Sequence, residues 1–168
     1  MSGSIVNIAG YRFVDIPDRD ELRQPFRDIC QKLNLKGTIL IANEGINFFL
    51  SGTQESVDDY LAFIEEDARF HNIPLKISYS DYQPFRRMNV RLKNEIISIG
   101  LDHIKPADKT GEEITPTDFK KLLDDGEDIL VLDTRNDYEI RIGTFQMATE
   151  LNIKTFRDFP RVVDEMSD

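Results

Sequence analysis

Two clusters of side chains in this sequence are suited to chemistry. Asp133 and Arg135, with Asn136, Asp137 and Glu139 close behind, follow directly on the apolar run Ile129-Leu-Val-Leu132. Four apolar residues without alternation are what a strand buried on both faces produces. A carboxylate and a guanidinium at the carboxyl end of a parallel strand sit where α/β ligand sites form, so Asp133 and Arg135 are candidates for an active-site edge. The same two side chains can instead pair with each other or with nearby backbone. Asn136 with Glu139 three residues later has the spacing of a capping box, which assigns these two to a helix start. The second cluster is Arg86, Arg87, Arg91 and Lys93, with no acid among residues 85–93. At a period of two, Arg87, Arg91 and Lys93 share one strand face and Arg86 takes the other. Such a stripe could track a phosphate backbone, each contact adding salt-dependent affinity. It could equally be a solvated face paired with the acidic remainder of the chain.

Glu44 and Asn47 flank the turn in Asn43-Glu-Gly45-Ile-Asn47. A carboxylate and an amide there could read a base edge, although turn chemistry alone explains Asn43 and Gly45, both tolerant of positive φ. Cys30 is the only cysteine. It excludes an internal disulfide and a cysteine-cluster metal site, and its place on an apolar helical stripe reads as a small core residue. His71 and His103 lack a second ligand at metal spacing, so no metal is expected. Phe48, Phe49, Tyr60 and Phe63 read as core, with no surface stacking platform inferred from them.

The elements that must position these groups follow from periodicity. Residues 5–14 read as a strand weakened by Gly10, and Pro17-Asp18 breaks it. Leu22, Phe26, Ile29, Cys30 and Leu33 form one stripe at helical period, capped by Asp18 or Asp20, with the regular helix beginning near Pro25. Residues 37–51 read as a hairpin turning at Asn43-Glu-Gly45. Val57, Tyr60, Leu61 and Ile64 mark a second helix, and residues 75–80 alternate as a half-buried strand. The order β-α-β-β-α-β is the split βαβ, ferredoxin-like arrangement, a four-stranded antiparallel sheet under two helices. Met88–Lys93 and Glu95–Ile99 extend this domain by a strand or hairpin, giving it residues 1–99. Residues 100–114 read as a linker. Thr115 caps a helix with Pro116 at its first position, and the strand 129–132 follows.

Composition bounds the partners. Hydrophobic residues make up 40% and charged residues 31%, as in soluble globular proteins. No stretch is apolar enough to span a membrane and no signal peptide is evident, so residence in the cytoplasm is expected. The net charge of −10 argues against nucleic-acid binding through bulk charge, and no DNA partner is expected. Acids crowd residues 112–139, which makes the basic run at 86–93 stand out.

Several motifs in order resemble one family. They are Gly37-Thr-Ile-Leu-Ile-Ala-Asn-Glu-Gly-Ile-Asn47, Met88-Asn-Val-Arg-Leu-Lys-Asn-Glu-Ile96, Leu132-Asp-Thr-Arg-Asn-Asp-Tyr-Glu139, Ile142-Gly-Thr-Phe145 and Thr155-Phe-Arg-Asp-Phe-Pro160. Together they closely resemble bacterial rhodanese-domain tRNA uridine hydroxylases, from near residue 8 to the C-terminus. The resemblance implies an α+β chain: a ferredoxin-like (acylphosphatase-like) domain, then the N-terminal part of an α/β rhodanese-like domain at residues 115–168. It further implies oxygen-dependent 5-hydroxylation of the wobble uridine, with molecular oxygen as co-substrate and tRNA as partner. Any further cofactor and the oligomeric state stay open. The family's catalytic cysteine lies in a Cys-Thr-Gly-Gly-type loop expected beyond Asp168, and Cys30 does not match it. The rhodanese-like domain is therefore expected to be incomplete and the 168 residues inactive by themselves. Two other readings stand beside this one: part of a rhodanese-type sulfurtransferase, and a non-catalytic module that binds RNA or protein.

Overall fold

A computed structural model describes residues 4–97 and 111–166, which fall into two compact units, one running through Ile96 and the other holding residues 111–166. The first unit contains β1 (Ile5–Phe13), α1 (Arg19–Lys32), β2 (Lys36–Ala42), β3 (Gly45–Gly52), α2 (Gln54–Ile64), β4 (Leu75–Ser80) and β5 (Met88–Leu92). Its sheet has the order β4-β1-β3-β2-β5. The first four strands pair antiparallel, as the ferredoxin-like reading requires. The sheet departs from a purely antiparallel one at β5, which joins β2 in parallel with Ile39 opposite Val90 and Leu40 opposite Arg91. Residues 93–97 form no further strand. The rest of the expected extension, 98–99, and residues 100–110 of the expected linker lie outside the described residues.

Alternation decides what each strand buries. Val6 and Ile8 of β1, Ile39 and Ile41 of β2, Phe48 and Leu50 of β3 and Val90 of β5 all enter one apolar cluster. The stripe on α1 delivers Phe26 and Cys30 to it, and α2 adds Val57, Tyr60 and Ile64. The aromatic rings meet edge-on, Phe26 with Tyr60 at 6.4 Å and Phe48 with Tyr60 at 5.7 Å between centroids. Gly10 is explained by this packing: a Cβ there would lie 2.8 Å from Phe48 Cζ, so only glycine lets that ring cross β1.

α1 begins at Arg19, six residues before the start that Pro25 suggested. Pro25 sits on the exposed side of the helix, where water can satisfy the carbonyl its missing N–H would have bonded. Asp18 occupies the N-cap position without capping, because its carboxylate is taken by Arg69. Arg69 also grips Asp67, with Nη2–Oδ2 at 2.6 Å, and so ties the turn after α2 to the start of α1. α2 is capped as its sequence suggests, Thr53 Oγ1 accepting from the Ser56 N–H at 3.1 Å.

The second unit contains α3 (Pro116–Asp124), β6 (Leu132–Asp133), α4 (Asp137–Ile140), β7 (Thr149–Glu150) and α5 (Phe159–Met166). Thr115 caps α3 as expected, accepting from the Asp118 N–H at 3.1 Å. The apolar run 129–132 behaves otherwise than expected. Ile129 is 40% and Leu130 68% exposed, and regular strand is confined to Leu132 and Asp133. β7 pairs with this strand in parallel, Leu132 opposite Thr149 and Asp133 opposite Glu150. A two-residue neighbour of polar sequence escapes periodicity, and it is too short to cover Ile129 and Leu130.

Candidate functional site

The basic cluster lies on β5 and its two ends. The ladder with β2 runs past the strand on both sides: the Gly37 N–H donates to Arg87 O at 3.1 Å and the Lys93 N–H to Ile41 O at 2.9 Å. Alternation then places Arg87 and Lys93 on the side of Arg91, as the spacing implied. All four cations are exposed, and none forms an ion pair among the described residues. α1 supports this edge from the other side. Arg19 donates to Lys93 O at 2.6 Å and Arg23 to Val90 O at 3.4 Å. Their guanidinium groups hold the backbone of β5 while its own cations stay exposed.

The hairpin turn separates its two candidate residues. Glu44 Oε1 accepts the Ile96 N–H at 2.6 Å, and its carbonyl accepts the Val14 N–H at 2.9 Å. Glu44 thus ties the turn to the strands around it. Gly45 sits at φ 154°, where a Cβ would lie 2.1 Å from Arg12 O, so glycine is required there. Asn47 is half-buried, and its side chain makes no hydrogen bond among the described residues. It belongs to the sheet face away from the helices.

That face was missed in the sequence. Across it, Tyr11 of β1 lies opposite Asn47, Asn47 opposite Leu40 and Leu40 opposite Arg91. The next row runs Ala9, Phe49, Thr38 and Asn89. Phe49 is 48% and Tyr11 50% exposed. Reading Phe48 and Phe49 together as core is correct for Phe48 alone. Adjacent residues in a strand point to opposite faces, and that alternation was the signal available.

In the second unit, Asp133 and Arg135 are brought together as a closed pair. Arg135 Nε donates to Oδ1 of Asp133 at 2.9 Å and Nη2 to Oδ2 at 2.6 Å. The Arg135 backbone N–H reaches Oδ1 at 3.1 Å and the Thr144 hydroxyl Oδ2 at 2.7 Å. Arg135 further donates to Gly143 O at 2.7 Å. The Asp133 side chain is 5% exposed, so these donors replace its lost hydration. Hydrogen bonding from Arg135 first, then from Thr144, holds its carboxyl well below the usual carboxylate range against the opposing effect of burial. Asn136 starts α4 as read, its N–H donating to Glu139 Oε2 at 3.2 Å.

Cys30 is fully buried, and burial pushes its thiol up to about 12, so it is not a thiolate at neutral pH. Among the described residues no three His, Cys, Asp or Glu side chains converge as a metal site, and no helix is long and apolar enough to cross a membrane.

The ferredoxin-like sheet of the first unit is that of an acylphosphatase-like α+β domain, and residues 5–96 match the family model described as the UPF0176 acylphosphatase-like domain. The chain belongs to the UPF0176 family. Relatives carry more specific names. A tRNA uridine(34) hydroxylase of Cupriavidus pinatubonensis is 46% identical over 95% of this chain and 58% of its own length. Proteins of the same name from Cupriavidus taiwanensis and Ralstonia nicotianae are 45% and 44% identical, each over 95% of this chain and 58% of their own length. The chain therefore spans a little under three fifths of the length of these relatives.

Proposed function

We propose that this chain is the N-terminal part of a tRNA uridine(34) hydroxylase, an oxidoreductase acting on tRNA. The observation that carries the reading is the identity of about 45% with proteins of that name, which extends over 95% of the chain and so through both units. In this reading the first unit positions tRNA, with Arg86, Arg87, Arg91 and Lys93 facing phosphates. Their exposure and freedom from ion pairs among the described residues support that role, since paired cations would have to be released before binding. The second unit contributes Asp133 and Arg135 as the rigid edge of a rhodanese-like site. The 168 residues do not catalyse the reaction by themselves, because their single thiol is buried and protonated.

The reading is tested with the whole-length gene. Deleting it and restoring it should abolish and restore 5-hydroxyuridine at position 34, measured by mass spectrometry of isolated tRNA. Unchanged 5-hydroxyuridine in the deletion strain, with thiosulfate turnover by the purified protein, would favour sulfur transfer instead. Hydroxylation of tRNA by the purified 168 residues would refute the placement of catalysis outside them.

A further inference from the structure

We infer that the helix-free face of the first unit's sheet is a stacking platform for unpaired RNA nucleotides. The inference rests on the reading of the protein as one that acts on tRNA, whose position 34 lies in an unpaired loop.

Tyr11 and Phe49 stand on β1 and β3, interior strands of the sheet. Each nonetheless leaves about half its surface open. Because Ala9 opposes Phe49 and Asn47 opposes Tyr11, the two residues are diagonal neighbours, a placement whose backbone positions lie roughly 7–8 Å apart. A small or flat residue beside each ring leaves room for a planar base. Both rings are held edge-on by a second aromatic, Tyr11 by Phe13 at 5.9 Å and Phe49 by Phe85 at 5.0 Å between centroids. Little side-chain freedom remains to be lost when a base stacks.

The surrounding chemistry suits a nucleotide better than a protein. Asn47 and Asn89 offer amide donors and acceptors on the same face, and neither side chain is hydrogen-bonded among the described residues. Lys36, Lys76 and Arg91 point from the same face. None of the five strands contains an aspartate or glutamate, in a sequence that has 31. A polyanion therefore meets no carboxylate from the strands themselves, whereas a second copy of this face would oppose cation to cation. Duplex RNA hides its bases from such rings, so unpaired nucleotides are the matching ligand.

The test uses the 168-residue chain with fluorescently labelled decauridine and with an RNA duplex of similar length as competitor. Tyr11→Leu and Phe49→Leu keep apolar bulk and remove the π face. Each should weaken decauridine binding by about fivefold or more, with the thermal midpoint nearly unchanged. Arg91→Gln should weaken binding and lower the salt dependence by about one counterion. Amide shifts of the unaltered protein on titration should map to β1, β3, β2 and β5, which covers the case of a variant that folds poorly. Wild-type affinity in both leucine variants, equal competition by the duplex, or shifts away from this face would each overturn the proposal. The enzymatic reading fails separately. Decauridine binding that depends on Tyr11 and Phe49, with no 5-hydroxyuridine made by the whole-length protein, would retain the platform and remove the hydroxylase.

Discussion

Each unit of this chain contains an arginine clamped by aspartate, but in different settings. In the first, Arg69 bridges Asp18 and Asp67 at the margin of a core into which both helices press buried side chains. In the second, α3 and α5 bury no residue, and the buried side chains among the described residues are Ile140, Leu151, Ile153 and the carboxylate Asp133. The clamp is an accessory to packing in one case and a central element in the other. Apolar burial resists local opening, whereas a structure pinned by a few hydrogen bonds opens when one is lost. The first unit is thus suited to present a fixed surface, and the second to hold a loop through polar links.

The sharpest way to break this contrast is to damage each unit at its own centre. Phe48→Ala should cost the first unit about 3–5 kcal/mol, seen as a lower denaturation midpoint. Leu123→Ala on half-buried α3 should cost about 1 kcal/mol or less. Equal losses would show that the second unit has an apolar core after all. Asp133→Asn should loosen the second unit by on the order of 1–3 kcal/mol, because it weakens several hydrogen bonds at one buried acceptor. Amide exchange at Thr149 should quicken while exchange in β1 and β3 does not change.

Acid sharpens the same comparison. The Asp133 carboxyl is lowered by Arg135 and Thr144, so the stability it supplies is complete above the unfolded value, about pH 4, and is lost as pH falls toward the folded one. Asp18 and Asp67 are lowered by Arg69 and give the first unit a loss of the same sign. The apolar core should carry the first unit through that range, so exchange between pH 5 and pH 3 should rise first in β6 and β7. Thr115→Ala, which removes the cap of α3, should cost about 1 kcal/mol of helix stability. Lys121→Ala, which breaks the exposed pair with Asp125, should change stability by roughly 0.5 kcal/mol or less.

What could be read from the sequence was local. The stripe Leu22, Phe26, Ile29, Cys30 and Leu33, the hairpin at Asn43-Glu-Gly45 and the cap at Thr115 depend on neighbours within a few residues, and each took the expected form. Pro25 misled because its cost depends on which side of the helix meets water. β5 was recognised as a strand, but its parallel place beside β2 depends on a pairing across some fifty residues. β7 was invisible, since Thr149 and Glu150 carry no apolar pattern. At the candidate sites, the Asp133–Arg135 pair and the common face of Arg87, Arg91 and Lys93 were legible from spacing. The capture of Glu44 by the Ile96 N–H and the exposure of Phe49 were not, because both depend on how the strands assemble.

The central proposal is that this chain recognises RNA through its first unit. Hydrogen exchange of the 168-residue protein with and without an unmodified tRNA transcript tests it most directly. The account predicts protection confined to β1, β2, β3 and the segment from Arg86 to Lys93, fading as salt is raised. Protection concentrated in residues 111–166, or none at concentrations where tRNA is bound, would contradict it.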